Sequence, residues 1–483
     1  MKPNLSLMAG VAVCLALAGC EVGPNYRLPP PPETAGAGFV SAAPAITAPG
    51  PAAPDWWRLY QDKALDGLVQ DALRHNTDLQ TAAANLAQAR ALLNESRAGL
   101  FPSTSEAFGG NFGRSALGDF EASTQGRKAP DVWSYDAALD VSYEVDLFGQ
   151  VRRTIEAAKA DAQAAAAVQN LVRITVAAET ARAYADACAF HEQADVARTS
   201  VQIEQQTFDI ALRQRDAGAT SDLDVARAAT LLDQTRAQIP TLEGQRRSAL
   251  YQLAVLTGRP PAEISPEADA CKVPPNLTQP IPVGDGAALL RRRPDVNSAE
   301  RQLAAAKARI GVATANLFPA ITLGAAAGSA GPTLGSLSRY QNVTLGAGPL
   351  ISWSFPNLAV AASQTAAAKA AASAAMSTYH GAILAALEET EQALTAYGGE
   401  LERHGALISA RDHANEALRL ATIQFDAGSA SFLDLLVAQT TEANAQAALA
   451  QSDQALIADQ ISVFKALGGG WENAPKVEPA KAG

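Results

Sequence analysis

The sequence predicts a mainly helical chain made of two tandem copies of one unit, each joining a pair of β-strands to a long helical hairpin. Three observations predict it: an excess of Ala, a self-match at a fixed offset, and stretches of two-residue alternation lying between helical runs. Of 483 residues, 106 are Ala. That is about 22%, against an ordinary share of roughly 8%. Aromatic residues make up only 6%, so a thick globular core would have little to fill it. Ala has the best helix propensity and suits long helices packed closely side by side. The formal net charge of −11 argues against a nucleic-acid surface. A mean hydropathy of −0.02 excludes a bundle of membrane-spanning helices.

The N-terminus reads as an address. Lys2 precedes a short apolar run from Leu5 to Ala18, with signal-peptide proportions. The run ends in Leu17-Ala18-Gly19-Cys20, which resembles a bacterial lipobox. Residues 1–19 are then a lipoprotein signal peptide, and Cys20 carries a covalent lipid as the new N-terminus. Glu21 stands where an inner-membrane retention signal would place Asp, so the resemblance implies the outer membrane. Two or three acyl chains anchor stably, since each buried CH₂ contributes about 0.8 kcal/mol. Residues 20–55 are rich in Pro, with Pro29 to Pro32 consecutive, and read as a lipidated N-terminus and extended tether. Ordered structure is expected from Trp56-Trp57.

From Asp66 to Leu100 the pattern is helical, with Leu65, Leu68, Val69, Ala72 and Leu73 on one face, and Phe101-Pro102 stops it. The segment from Asp78 to Pro102 aligns without gaps on Asp295 to Pro319. Asp216-Ala217-Gly218 and Leu223-Asp224-Val225 match Asp426-Ala427-Gly428 and Leu433-Asp434-Leu435. The chain is therefore two repeats, 56–275 and 276–471, followed by a flexible tail at 472–483. In each repeat a stretch poor in helix signals, 103–145 or 320–356, precedes a Pro-free helical run of about 68 residues. Such a run is about 100 Å long at 1.5 Å per residue. Gly218 and Gly428 break the chain in tight turns, with tips near 216–224 and 426–434, and helices return after them.

The intervening stretches alternate. Trp133, Tyr135, Ala137, Leu139, Val141, Tyr143 and Val145 fall on one face of a strand; Asp136, Asp140 and Glu144 fall on the other. Phe108 and Phe112 share a face in the partner strand. The second copy alternates through Ile321, Leu323 and Ala325, and again from Val343 to Phe355. Segments 114–130 and 328–341, rich in Gly, are expected to be outer loops. Aromatic residues near the strand ends resemble the girdles of a membrane barrel. Four strands cannot close a barrel, and an open edge cannot face lipid, so membrane strands would have to be shared among chains.

At this point the chain resembles the TolC family of outer-membrane factors, in its lipoprotein NodT/OprM-like branch serving RND efflux pumps. The residues that carry the resemblance run from Cys20-Glu21-Val22-Gly23-Pro24-Asn25-Tyr26 through Trp56-Trp57 and Tyr143 to Gly149. They continue in Arg292-Arg293-Pro294-Asp295-Val296, Ala299-Glu300, Leu317-Phe318-Pro319 and Ala466 to Trp471. The resemblance implies a homotrimer with a shared 12-stranded barrel, four strands per chain, and a long helical periplasmic barrel. It also implies a mixed equatorial region including Gly258–Gly286 and the chain ends. The implied partners are a periplasmic adaptor, an inner-membrane RND-type pump and outer-membrane lipid, with no nucleic acid.

The same resemblance places a gate at the periplasmic tips. Asp434 matches a family gate aspartate, and three copies around an axis would form a cation-attracting ring. The alternative is that Asp434 caps the returning helix. Ala430 and Val437 stand where TolC has a latch Arg and a second gate acid, so Phe425, Phe432 and Leu433 are expected to share the closure. Arg215, Gly218, Leu223, Asp224, Gly428 and Leu435 resemble the tip motif met by the adaptor, and Asp136, Asp140 and Glu144 are expected to line the barrel lumen. No catalytic arrangement, metal site or cofactor is expected beyond the lipid on Cys20. With Cys14 removed, Cys188 and Cys271 remain. Their default reading is two unpaired thiols, although both fall at similar heights and a disulfide is geometrically possible. Within transport, the alternatives are a duct for type I protein secretion or metal-ion efflux. Only three Met residues are present, which leaves no Met ladder for soft metals. A lipid-tethered periplasmic coiled-coil scaffold is the reading from a different class.

Overall fold

A computed structural model describes residues 21–114, 116–277, 279–353 and 358–479. The signal peptide, Cys20 and residues 354–357 lie outside the described residues. In chain order the elements are β1 (Thr47–Ala48), α1 (Lys63–His75), α2 (Thr77–Ala98), β2 (Ser103–Gly113), α3 (Ala116–Thr124) and β3 (Val132–Val145). Then come α4 (Gln150–Asp216), α5 (Asp222–Leu256), α6 (Pro266–Asp269), β4 (Ile281–Pro282), α7 (Gly286–Arg292) and α8 (Pro294–Ala315). The chain continues through β5 (Ala320–Gly331), β6 (Val343–Ser352), α9 (Leu358–Asp426) and α10 (Phe432–Ala466). The two repeats match closely in length. Helices α2 and α8 both have 22 residues, α4 and α9 have 67 and 69, and α5 and α10 both have 35.

Three expectations are corrected at this level. The run from Asp66 to Leu100 is two helices, because the Asn76 side chain caps α2: its Oδ1 accepts from the Asp78 and Leu79 amides at 2.9 and 3.2 Å. The segment 114–130 is not wholly loop, since it holds α3. Residues 328–331 extend β5, because their small side chains tolerate the ladder opposite Val343 and Thr344.

Contacts divide the chain into two units that interleave in sequence and cut across the repeats. The first comprises residues up to Leu28, Gln88–Gln163 and Glu300–Thr378. Its centre is an antiparallel sheet of order β2-β3-β5-β6. The register puts Phe112 opposite Trp133, Leu139 opposite Ala327 and Tyr143 opposite Leu323. Across β5, Ile321 lies opposite Ile351 and Ala327 opposite Leu345. Every large apolar side chain named here falls on one face. The helical part of this unit packs Ala on Ala: Ala160 meets Ala304 and Ala305, and Ala306 and Ile310 meet Ala372.

The second unit comprises Pro29–Ala87, Ala164–Ala299 and Tyr379–Gly483. Its core gathers Trp56, Trp57, Leu65, Leu73, Leu253, Ile281 and Phe464, all buried. The Trp56 ring stacks on Phe464 at 4.9 Å. Arg293 is buried and bonded to the Ala466 carbonyl at 3.0 Å, to Asp295 at 2.9 and 2.7 Å, and to Glu389 at 2.6 Å. A guanidinium is tolerated there because its donors are matched.

The tether reading is corrected for residues 29–54. They hold a 3-10 turn at Glu33–Gly36 and are docked. Ala35, Phe39 and Ile46 are buried, β1 pairs with β4, and Glu391 accepts from the Val40 and Ser41 amides. The tail is corrected as far as residue 479, since Ala474 and Val477 pack on the core and Glu472 pairs with Arg292 at 2.6 Å.

The default reading of two free thiols is also overturned. Cys188 and Cys271 form a disulfide with sulfurs 2.00 Å apart, closing 83 residues of chain. Cys188 is fully buried on α4, and the irregular segment after α6 brings Cys271 to it. A loop of that size contributes about 4–5 kcal/mol in the chain-entropy account. Alkylation in denaturant without reductant should leave both cysteines unlabelled, and reduction should expose two thiols; labelling before reduction would contradict the bond.

Candidate functional site

Both tips are built alike. At the end of α4, Gly218 takes φ +72° and the Ala219 amide reaches back to the Gln214 carbonyl at 2.7 Å. At the end of α9, Gly428 takes φ +71° and the Ser429 amide reaches the Gln424 carbonyl at 2.8 Å. A side chain would strain this left-handed stop. The returning helices begin at Ser221 and Ser431, each with an Asp three residues on. At α10 the Asp434 carboxylate accepts from the Ser431 amide at 3.0 Å and hydroxyl at 2.7 Å, while the Asp434 amide donates to Ser431 Oγ at 3.2 Å. At α5 Asp224 accepts from Ser221 and Thr220 hydroxyls at 2.8 and 3.0 Å and pairs with Arg227 at 3.2 Å. Hydrogen bonds from Ser431 hold the Asp434 carboxyl below the usual range, and those from Ser221 and Thr220 do the same for Asp224. Both acids are charged at neutral pH. Position alone marks the aspartates in the sequence; the Ser-x-x-Asp spacing is the signal that marks their serine partners.

Helical register then sorts the remaining tip residues. On α10, Phe432, Leu435, Leu436 and Gln439 face inward and are buried. Phe432 lies 5.7 Å from Phe425, in a cluster with Ala211, Ala228 and Leu436. Phe425 and Phe432, expected to share an axial closure, are thus taken up in joining the two hairpins. Leu435, expected at the docking surface, is 5% exposed. Leu433 and Val437 remain exposed. They face Leu223, Ala226, Arg227 and Thr230 of α5 across a groove of about 550 Å³. Arg215 stays at the surface, paired with Asp216 at 2.7 Å.

Above the tips lies a polar cluster without local sign in the sequence. Glu204 of α4 and Glu442 of α10 are both buried. Glu204 accepts from the Thr235 hydroxyl at 2.9 Å, Gln439 donates to Thr207 at 2.6 Å, and Glu442 accepts from Gln446. One carboxylate oxygen of Glu204 and the amide oxygen of Gln439 are buried without a donor. Burial, with the Glu442 charge behind it, pushes the Glu204 carboxyl up to about 7, and burial raises Glu442 as well.

In the sheet, Asp136, Asp140 and Glu144 share the face opposite the aromatic residues. Their cross-strand neighbours are small: Gly109, Ser105, Ala326 and Thr322. The other face is apolar and uncovered, with Phe108 68%, Leu345 80% and Ile351 65% exposed; Glu106 is the acid on that face. Trp133 stacks on Tyr135 at 5.8 Å near one end of β3, and Tyr143 lies ten residues further along. Ten residues rise about 34 Å, which at the ~40° tilt of outer-membrane strands gives about 26 Å of height, matching the ~25 Å apolar band of such barrels. Among the described residues, no helix is long and apolar enough to cross a membrane.

A family model described as outer membrane efflux protein matches residues 68–259 and 287–469. Nodulation protein T of Rhizobium leguminosarum bv. viciae is 31% identical over 479 residues, covering 97% of this chain and 94% of that protein. Pyoverdine export outer membrane protein OpmQ of Pseudomonas aeruginosa is 30% identical, covering 97% of each. The solved outer-membrane channel OprN superposes with a TM-score of 0.86 at 32% identity, covering 94% of this chain and all of that one.

Glu204 makes stability pH-dependent. The unfolded chain releases this proton near 4.5 and the folded chain holds it to about 7, so stability falls as pH rises through that window. Glu204→Gln should flatten the dependence between pH 5 and 8 and raise the melting midpoint at pH 8 by on the order of 2–4 °C. Circular dichroism of detergent-solubilised protein checks this.

Proposed function

Because the chain belongs to the outer membrane efflux protein family, it is an outer-membrane duct with a TolC-like fold rather than an enzyme, and we propose that it works as a homotrimer in a tripartite efflux system. The observation that carries the reading is the sheet. Four strands present an apolar face to lipid, and both outer edges of β2 and β6 expose unpaired backbone groups. Lipid offers those groups no hydrogen-bond partner, so the edges must pair with other copies. Three copies supply twelve strands, with Asp136, Asp140 and Glu144 turned to a water-filled lumen. A lipid on Cys20 adds a second anchor.

At the helical tips, the groove between Leu223 and Leu433 receives a periplasmic adaptor, which links the duct to an inner-membrane RND-type pump. Similar proteins of Pseudomonas putida, named as efflux pump outer membrane proteins, support the link to a pump. The pump supplies the driving force, and the duct conducts passively. Three Asp434 carboxylates near the axis make the narrow end cation-attracting. Asp434 therefore has two duties: it caps α10 and carries the charge.

Purified protein in planar bilayers should give discrete, cation-selective channels, whereas a periplasmic scaffold would give none. Asp434→Asn keeps an acceptor for the cap and removes the charge. It should lower cation selectivity with the helical content unchanged, and unaltered selectivity would sink the ring.

A further inference from the structure

The residues that follow Cys20 occupy a built slot in the first unit. The Val22 amide donates to the Phe148 carbonyl at 3.1 Å. Arg153, in the first turn of α4 and 3% exposed, donates from Nε to the Val22 carbonyl at 3.2 Å. Its Nη2 donates to the Gly23 carbonyl at 3.4 Å and to Asn25 Oδ1 at 2.7 Å. Its charge is balanced by Glu21 at 3.3 Å and Glu156 at 2.7 Å. A buried guanidinium is stable only when its fork is satisfied, and here most of the fork is satisfied by the N-terminal segment.

Three glycines close the slot. Gly149 takes φ +81°, and a Cβ there would lie 2.6 Å from Glu21 Cγ. Gly23 takes φ +91°, and its Cβ would lie 2.5 Å from the Gly311 backbone. A Cβ on Gly311 would meet Arg153 Cγ at 2.7 Å. The segment, the start of α4 and helix α8 thus meet at van der Waals limits. Tyr26 completes the contact. Its hydroxyl donates to Glu300, and its ring lies 5.5 Å from the Arg301 guanidinium and 5.4 Å from the Lys307 ammonium. It also packs on Ala160, Ala304 and Ala305.

The slot sits at the helix end of the sheet, since Phe148 and Gly149 follow the last residue of β3, Val145, by three and four positions. Glu21 follows Cys20 directly in the sequence, and one Cα step is about 3.8 Å, so holding Glu21 limits how far the lipid attachment point can range. We propose that Arg153 is a positioning residue that docks the mature N-terminus and sets where the acyl chains enter the leaflet: beside the subunit's own sheet, at its helix end. This rests on the reading of Cys20 as lipidated. With residues 29–54 docked, losing the slot would free the nine residues from 20 to 28, enough for the lipid to range over roughly 15–18 Å.

Two measurements on full-length protein test it. Trypsin cleavage after Arg27 in detergent-extracted trimer reads the slot. Arg153→Gln should speed that cut at least tenfold while the Arg127–Lys128 cut stays unchanged. Gly23→Ala, which alters only the segment, should do the same if Arg153→Gln fails to fold. Equal rates in wild type and both variants would overturn the slot.

A photoactivatable diazirine fatty acid supplied to cells reads the acyl position. In wild type, crosslinks from Cys20 should concentrate on peptides containing Tyr143–Val145 and Ile351–Trp353. In Gly23→Ala they should scatter. The same crosslink pattern in both would overturn the positioning role. Absence of any label on Cys20 would overturn the lipid reading itself, with the slot still judged by trypsin.

Discussion

A sheet whose edges cannot be left open in lipid is the constraint on which the rest of this structure depends. In water, an unpaired edge strand is a liability; in hydrocarbon it has no solution within one chain. Here four strands present Phe108, Leu345 and Ile351 outward on one face, and acids and small residues on the other. The sheet has two pairing edges, so the complete barrel is an assembly. Each chain must also present helices compatible with the same assembly. The Ala excess follows from that. Long helices packed side by side need small contact residues, as where Ala160 meets Ala304 and Ala305.

Much of the fold was legible because the sequence states it twice. The match of Asp216-Ala217-Gly218 to Asp426-Ala427-Gly428 located both tips, and the observed helices α5 and α10 start at equivalent positions. Period-two alternation located the strands within a few residues. What was not legible has physical causes. The break at Asn76 depends on one side chain capping the next helix, inside a pattern whose apolar spacing continues across it. The docking of residues 29–54 depends on tertiary partners such as Glu391, which Pro-rich composition does not reveal. The disulfide depends on how far the segment after α6 folds back, which spacing leaves open.

The tips show the same division. Asp434 and Leu433 could be picked out by position, yet their neighbours decide what each can do. Ser431 turns Asp434 into a cap as well as a charge, and the inward register of Phe432 and Leu435 removes them from the surface. The buried pair Glu204 and Glu442 lies at unrelated positions in the two repeats, so the self-match could not point to it.

The decisive quantity is how many copies close the barrel. Native mass spectrometry of the full chain, extracted from the outer membrane in mild detergent, counts them directly. Three copies per particle, with no stable single chain, is the predicted result. A stable monomer or dimer would leave sheet edges exposed to lipid and would contradict the account.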